Sequence, residues 1–374
     1  MRYCERCILP ETRPGLVLGP DGVCSACRAH EERLSGRVDW AARREAFAAL
    51  AEEVRGRARD WDCVIPVSGG KDSTWQTLTC LEFGLKPLAV TWRTPGRNPL
   101  GDRNLRNLIE LGVDHVDVSV NPQVERRFLV KAYERKGTTA IPMHLAIFNI
   151  PTRLAVQLGI PLVVWGENSA MEYEGSEAGF ELTSEWVRRH GAVHGTTADD
   201  WADDELTARD LAIYRGPSDA EIERAGVRAV FLGMYLQWDP QRTFEVARQH
   251  GFEPAPVPLT GSYAFADVDD DFISLHHWLK WHKFGFTRGW DNLSLEIRNG
   301  RLSRDAALEL ARAAGNPTPR DDIRAFCEYT GMADERFHEV AESFRDPNVW
   351  TRTNGTWMIE DFLIPDWDWA AEAR

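Results

Sequence analysis

The sequence lacks long apolar segments. Among its 374 residues, no stretch reaches the ~18 consecutive apolar residues that a membrane-spanning helix needs. The N-terminal MRYCERC also has no apolar signal core. We therefore expect a cytoplasmic protein that makes no membrane contact.

Positive charge is also scarce. Lysine and arginine total 44 against 58 aspartate and glutamate residues, which gives a net charge of −14. This balance excludes a general nucleic-acid-coating protein, because phosphate backbones bind basic surfaces. The negative net charge is compatible with a local basic pocket and with a homo-oligomer. Apolar side chains reach 43%, with 15 Trp, so we expect a folded chain with one large domain plus accessory pieces, or with two ordinary domains.

Strand and helix patterns alternate early in the chain. Residues 39–58 carry apolar side chains at helical spacing, with Asp39 as the N-cap. Apolar runs predict strands at CVIPV (63–67), PLAVTW (87–92), HVDVSV (115–120) and PLVVWG (161–166). Helices are predicted over 73–84, 102–112, 122–136 and 143–159. This alternation predicts an α/β fold with a doubly wound, mostly parallel sheet.

The pattern changes after residue 166. Residues 168–220 are polar, acidic and glycine-containing, so we interpret them as an insertion or lid. AVFLGMYL (229–236) predicts one more strand. Further helices are predicted over 240–251, 269–284, 303–314, 319–331 and 334–344. We therefore expect a mainly α C-terminal region.

The stretch VSGGKDS (67–73) follows the first predicted strand and leads into a helix. Backbone N–H groups at a glycine-rich turn and at a helix N-terminus form a concave anion site. The residues expected to hold phosphates are Ser68, Gly69, Gly70, Lys71 and Ser73. Asp72 would repel a phosphate directly, so we expect it to hold Mg²⁺ against a pyrophosphate.

This loop is not the GxxxxGK[ST] loop of γ-phosphate-transferring enzymes. SGGxDS after a first strand resembles the PP-loop ATP pyrophosphatases. That resemblance implies bound ATP and attack at the α-phosphorus, which gives an adenylated intermediate and pyrophosphate.

Ligands of such sheets bind at the carboxyl ends of the strands. Thr91 and Trp92 end the second strand, where the PP-loop relatives hold adenine, although core packing is an equal interpretation for Trp92. Gly166 and Glu167 end the fourth strand. Glu167 would bind Mg²⁺ or a sugar in the same crevice, with a surface loop as the alternative.

Four cysteines form two CxxC pairs, Cys4 with Cys7 and Cys24 with Cys27. This spacing suits a closed tetrahedral zinc site, with two disulfides as the competing interpretation. Because four thiolates leave no open coordination position, the zinc is expected to be structural. The prolines and glycines between the pairs predict a β-ribbon that depends on the metal.

The other cysteines are Cys63, Cys80 and Cys327, and all three are expected in the core. None of them lies at a sharp turn, so we expect no glutaminase nucleophile in this chain.

An N-terminal Cys4 ribbon, a PP-loop, GENSAMEYEG (166–175), KFGFTRGWDNLS (283–294) and LSRDAALEL (302–310) together resemble the N-acetyl sugar amidotransferases of bacterial surface-polysaccharide synthesis. The resemblance spans about residues 1–315. It implies conversion of an acetamido group of a sugar to an acetamidino group, with ammonia from a separate glutaminase subunit. It also implies that Lys283 and Arg288 form a second phosphate-binding element beside the catalytic Lys71, Asp72 and Glu167.

The chain departs from that family pattern at two positions. His144, in PMHLAIF (142–148), is displaced by one position, so a structural histidine is the favoured interpretation. Lys71 stands where the family often has a small aliphatic residue.

Three other functions remain as alternatives. A PP-loop tRNA-thiolation enzyme would need a basic face and catalytic cysteines, which the charge of −14 disfavours. A sugar enzyme with a sulfur donor and a degenerate nucleotide-binding subunit are the other two.

The expected domain organisation combines these features. It comprises a zinc ribbon (1–32), a linker helix (33–60), a PP-loop ATP pyrophosphatase domain (61–260) and a helical C-terminal region (261–374). Within the last region, HHWLKWHKF (276–284) is interpreted as a packed helix rather than a metal site. The tail tryptophans are interpreted as a staple to the core, with partner docking as the alternative.

Overall fold

A parallel five-stranded sheet forms the centre of the computed structural model, which describes residues 1–175 and 181–369. The strands are β1 (Cys63–Pro66), β2 (Pro87–Trp92), β3 (Asp114–Val118), β4 (Leu162–Trp165) and β5 (Arg228–Phe231). Their spatial order is β3-β2-β1-β4-β5, and every neighbouring pair is parallel. Strand order therefore reverses direction at β1, which is the doubly wound arrangement predicted from the sequence.

Helices connect and cover the strands. They are α1 (Ser25–Leu34), α2 (Trp40–Arg57), α3 (Lys71–Glu82), α4 (Pro99–Ile109), α5 (Pro122–Lys136), α6 (Ala140–Leu158), α7 (Ser184–His190), α8 (Asp219–Ala225), α9 (Pro240–Gln249), α10 (Ile273–Phe284), α11 (Arg288–Arg298), α12 (Arg304–Ala314), α13 (Arg320–Thr330) and α14 (Asp334–Ser343). A hairpin, β6 (Thr351–Thr353) with β7 (Thr356–Met358), lies in the tail. As predicted, Asp39 caps α2 by accepting a hydrogen bond from the Ala42 backbone N–H at 2.9 Å.

Three elements differ from the sequence-based expectation. Helix α11 was not predicted, because its glycine, aspartate, asparagine and serine have low helix propensity; burial of Trp290 and Leu293 stabilises it instead. The strand expected at 229–236 ends at Phe231, where the chain turns and the Gly233 N–H bonds to the Gly166 carbonyl at 2.9 Å. The cysteine module contains helix α1 and only isolated β-bridges rather than a regular ribbon.

The cysteine module packs against the C-terminal helices. Its buried residues share one hydrophobic cluster with Trp281, Phe286 and Trp290. Thr12 Oγ1 donates a hydrogen bond to the Phe284 carbonyl at 2.6 Å. The rings of Trp350, Trp367 and Trp369 also lie within 6.3 Å of the Trp281 ring. The tail therefore packs onto this cluster, as the staple interpretation expected.

The insertion predicted over 168–220 contains a π-helical turn (Ala170–Glu174), helix α7 and two short 3₁₀ turns. Residues 176–180 of this insertion, and 370–374 of the tail, lie outside the described residues. In the described part of the chain, no helix combines the length and the apolarity needed to cross a membrane.

Candidate active site

The glycine-rich loop joins β1 to α3 as expected. Gly69 has a φ of +91°, and a Cβ at this position would lie 2.5 Å from the Leu105 backbone nitrogen. Only glycine therefore suits this turn. Ser68 Oγ accepts a hydrogen bond from the Gly70 N–H at 3.2 Å, and Ser73 Oγ donates to the Gly70 carbonyl at 3.0 Å. Gly70 caps α3 without any side-chain hydrogen bond, so the helix N-terminus remains available to an anion.

Gly166 and Glu167 follow β4, the strand that pairs with β1 on the other side of the loop. The loop and Glu167 thus lie on either side of the point where the strand order reverses. Crevices at such points are the usual ligand sites of doubly wound sheets. Gly166 also lies against Gln76, whose side-chain amide donates to the Val164 carbonyl at 3.3 Å.

Two adjoining cavities open at this crevice. The large chamber has a volume of about 640 Å³ and the small chamber about 160 Å³. Residues that line both chambers form the junction. They are Ser68, Asp72, Ser73, Glu167, Tyr173, Asp267, Asp269 and Arg288.

Lys71 lines the small chamber and Asp72 lies at the junction. Lys71 is buried, forms an ion pair with Asp72 and lies 5.6 Å from the centre of the Trp238 ring. Asp72 Oδ1 accepts hydrogen bonds from Trp238 Nε1 at 2.9 Å and from Thr243 Oγ1 at 3.2 Å. The Asp72 carboxylate is therefore held in one orientation by three donors.

Carboxylates crowd the junction. Burial, together with the Asp72 charge, raises the pKa of Glu167 to about 7. Burial, together with Asp270 and Asp267, raises the pKa of Asp269 to about 7. A triphosphate would be repelled by these groups unless a divalent cation accompanied it. Asp72 and Glu167 both line the junction, and such a pair fits Mg²⁺, which proteins bind through one or two carboxylates plus substrate phosphates.

Arg288 supplies positive charge beside them. Its Nε lies 3.3 Å from Asp267 Oδ2, and its guanidinium lies 5.3 Å from the Tyr173 ring centre. Although burial disfavours the charged form, Tyr173, Asp267 and Asp291 raise the pKa of Arg288 further. Arg288 is therefore a permanent cation at the junction.

Lys283 lines the large chamber only, whereas Arg288 and the loop residues Ser68, Asp72 and Ser73 line both chambers. Trp92 also lines the large chamber. Thr91 does not line either chamber among the described residues, because its Oγ1 is hydrogen-bonded to His115 Nε2 at 2.9 Å on β3. Of the two residues expected at the adenine, only Trp92 faces the cavity.

The four paired cysteines converge on one point. Their Sγ atoms all lie within 4.8 Å of one another, with Cys4–Cys27 at 3.9 Å and Cys7–Cys24 at 3.8 Å. A tetrahedron with Zn–S bonds of 2.3 Å places sulfurs about 3.8 Å apart. The donor set therefore fits zinc, and separations of this size exclude disulfides.

Histidines of α10 and α6 line the large chamber without forming a metal site. Among residues 1–175 and 181–369, the Cys4 cluster is the one group of three or more potential metal ligands that converge. His144 Nδ1 bonds to the Ala140 carbonyl at 2.7 Å, which agrees with a structural role. Cys63 and Cys80 are fully buried, whereas Cys327 is only half-buried, contrary to expectation.

Sequence reasoning missed several residues of the site. Asp267 and Asp269 belong to an acidic run, DVDDD (267–271). The short distance in sequence between this run and KFGFTRG could have indicated that both belong to the site. Arg13, Tyr173 and Trp238 carried no such signal, because they enter the cavities from the cysteine module, the insertion and the segment after β5.

One protein-family model matches the C-terminal part of the chain. Residues 260–363 match the family model described as LPS biosynthesis protein WbpG-like, C-terminal domain. No curated protein matches the chain significantly.

Among solved structures, NMN synthetase from Francisella tularensis is 16% identical over 59% of this chain and 99% of its own, with a TM-score of 0.27. The NH3-dependent NAD synthetase from Campylobacter jejuni is 15% identical over 59% of this chain and 100% of its own, with a TM-score of 0.28. A predicted subunit of tRNA methyltransferase from Methanocaldococcus jannaschii is 15% identical over 59% of this chain and 87% of its own, with a TM-score of 0.28. The family match lies in the region that carries KFGFTRG, so the C-terminal part of this chain is similar to that of the WbpG-like LPS biosynthesis proteins.

Proposed function

We propose that this chain is an ATP-dependent amidotransferase that converts an acetamido group of a nucleotide-activated or nonulosonic sugar into an acetamidino group. The observation that carries the proposal is the SGGKDS loop, which lines the same junction as Glu167 and Arg288, where cavities of about 640 Å³ and 160 Å³ meet. The match of residues 260–363 to an LPS biosynthesis family supports the coarser statement, an ATP-dependent sugar-modifying enzyme.

The reaction needs activation of a poor leaving group. The amide oxygen attacks the α-phosphorus of ATP, the bond to the β-phosphate oxygen breaks, and pyrophosphate leaves. Ammonia then adds to the imidate carbon, AMP departs with the former amide oxygen, and a proton is lost to give the amidine.

The residues of the site suit these steps. The free N-terminus of α3 and the Ser73 hydroxyl would hold pyrophosphate oxygens, and Lys71 would neutralise them. Arg288 would stabilise charge on the α-phosphate from the other side of the crevice. Asp72 and Glu167 would hold Mg²⁺, which supplies charge neutralisation to the phosphates. Catalysis would therefore consist of positioning and electrostatic stabilisation.

The proposed reaction needs ammonia from a source outside this chain. Cys63 and Cys80 are fully buried in the described structure, and the Sγ atoms of Cys4, Cys7, Cys24 and Cys27 converge in one cluster that fits zinc. No thiol of the site is poised as a glutaminase nucleophile, which needs an activating base. We therefore propose that a separate glutaminase subunit supplies the ammonia. We also propose a cytoplasmic location and the four-part domain organisation expected from the sequence.

The test incubates the protein with ATP, Mg²⁺, ammonium and a panel of nucleotide-activated and nonulosonic diacetamido sugars. We expect AMP, pyrophosphate and a sugar in which N–H has replaced one oxygen, identified by mass spectrometry. AMP release with tRNA but with no sugar would refute the proposal in favour of the tRNA-thiolation alternative.

Asp72→Ala tests the loop assignment and should abolish AMP release without unfolding the protein. Asp114→Ala is the matched control, because this carboxylate bonds to Trp61 Nε1 at 2.8 Å at the opposite end of the sheet. Full turnover in Asp72→Ala would show that the loop assignment is wrong.

A further inference from the structure

Lys283 is a buried cation without a counter-charge. Its exposed fraction is 9%, and its Nζ lies 5.4 Å from the Phe284 ring. Among residues 1–175 and 181–369, it forms no ion pair with a carboxylate. Burial and the nearby Lys280 charge lower its pKa to about 8. Burying an unpaired ammonium group is costly, so a site that retains one points to a ligand that supplies the negative charge.

The surroundings of Lys283 do not supply that charge. Lys280, one turn earlier on α10, pairs with Asp291 at 3.1 Å, and Arg13 of the cysteine module pairs with the same carboxylate at 2.8 Å. Arg288 Nη1 lies 3.9 Å from the same carboxylate, so Asp291 is already shared by three cations. His194 and His276 also interact with the Lys283 charge, and burial lowers the pKa of both. Lys283, Lys280 and Arg13 all line the large chamber, and Asp291 pairs with the last two of them.

The basic end of the large chamber, formed by Lys283 with Lys280 and Arg13, does not extend into the small chamber. Lys283, Lys280 and Arg13 line the large chamber and not the small one, whereas Lys71 lines the small chamber. Arg288 and Glu167 lie between the two, at the junction. A nucleotide whose phosphates contacted Gly70 and Lys71 would therefore occupy the small chamber and the junction, with Lys283 on the large-chamber side.

We propose that Lys283, with Lys280 and Arg13 beside it, forms a second anion site that binds the negatively charged group of the sugar acceptor. The acceptor's acetamido group would then reach the junction, where the α-phosphate of ATP would lie. The ligand chemistry is an anionic oxygen group, which is a diphosphate in a nucleotide-activated sugar and a carboxylate in a nonulosonic sugar. The inference rests on the proposed function and names the feature of the substrate that this site recognises.

Binding measurements test the site without relying on turnover. Isothermal titration calorimetry would use UDP-N-acetylglucosamine as the diphosphate probe and N-acetylneuraminic acid as the carboxylate probe, each in the presence of α,β-methylene-ATP and Mg²⁺. We expect one probe to bind the wild-type protein and its affinity to fall at least tenfold in Lys283→Met. Binding of α,β-methylene-ATP should be unchanged in this variant.

Lys86→Met is the matched control, because this exposed lysine lies before β2 at the other end of the sheet, with its Nζ 5.8 Å from the Trp61 ring. Lys283→Arg should recover part of the affinity, since it restores the charge. Melting curves would verify that each variant is folded.

Three results would overturn the proposal. Equal probe affinity in Lys283→Met and the wild type would remove the lysine from the site. Loss of α,β-methylene-ATP binding in Lys283→Met would assign the lysine to the ATP phosphates instead. If neither probe bound the wild-type protein, the anionic group of the acceptor would not be the ligand of this site. Lysine-dependent probe binding without amidine formation would refute the proposed function but leave this site standing.

Discussion

Arg13 Nε lies 2.8 Å from Asp291 Oδ1, and this contact joins the cysteine module to helix α11. The Asp291 side chain is 1% exposed, and Arg13 is 11% exposed. Although burial favours the neutral acid, the charges of Lys280, Arg13 and Arg288 hold the pKa of Asp291 well below its usual range. Arg13 also lies 5.7 Å from the Tyr173 ring and lines the large chamber. The cysteine module therefore forms part of the cavity wall.

Replacing Arg13 with methionine should affect both stability and acceptor binding. Removing one partner of a buried hydrogen-bonded charge costs about 1–3 kcal/mol, and Lys280 remains to limit the loss. We expect a lower free energy of unfolding and a several-fold higher acceptor KM, measured by denaturant titration and by AMP release. Arg2→Met is the control, since Arg2 pairs with Glu11 on the surface and should change stability by less than ~1 kcal/mol. Equal behaviour of the two variants would contradict this role for Arg13.

Zinc should hold the cysteine module in place. Cys24→Ser removes one of four ligands, so we expect loss of bound zinc, measured by atomic emission, and a marked drop in melting temperature. Arg304 donates to the Cys7 carbonyl at 3.1 Å, so unfolding of the module should also loosen α12. Cys327→Ser is the control and should keep both zinc and stability. A wild-type protein purified without zinc, or a Cys24→Ser protein that retains it fully, would disprove the site.

The two loop glycines should differ in their tolerance of alanine. At Gly69 the φ of +91° and the Leu105 backbone 2.5 Å from a new Cβ both oppose a side chain. Such strain costs about 1–3 kcal/mol, so Gly69→Ala should lower the melting temperature and abolish ATP binding. Gly70 has a φ of −66°, and its nearest obstacle is the movable Ser68 hydroxyl at 3.3 Å. Gly70→Ala should therefore fold normally, and similar melting temperatures for both variants would contradict the strained turn.

Acceptor binding should weaken at alkaline pH. An anion needs the charged form of Lys283, whose pKa is lowered to about 8, so affinity should fall as pH rises from 7 to 9.5. His194, with its pKa lowered to about 4, and His276 stay neutral in this range. The free energy of unfolding should instead rise with pH between about pH 8 and 10.4, since the unfolded lysine binds a proton that the folded one has lost. Calorimetry on Lys283→Met should give a flatter pH profile, and an identical slope would contradict this assignment.

The sequence alone determined the local chemistry of this protein. Alternating strands and helices predicted the parallel sheet, because short apolar runs and the helical period of 3.6 residues are visible without contacts. The SGGKDS motif predicted an anion-binding turn, and the two CxxC pairs predicted a tetrahedral thiolate site, because both features depend on residues close in sequence.

Tertiary structure decided what these local elements face. Strand order brings the loop after β1 beside Glu167 after β4, nearly a hundred residues later, and no short-range pattern specifies that pairing. It also turns Thr91 toward His115 and brings Arg13 to Asp291, and it leaves Lys283 buried with no carboxylate partner among the residues that the structure describes. Helix α11 forms against its own propensity because its buried face packs between the cysteine module and α12. Burial and long-range charge pairing depend on the folded arrangement of the whole chain, and for that reason the cavity's basic end was not visible in the sequence.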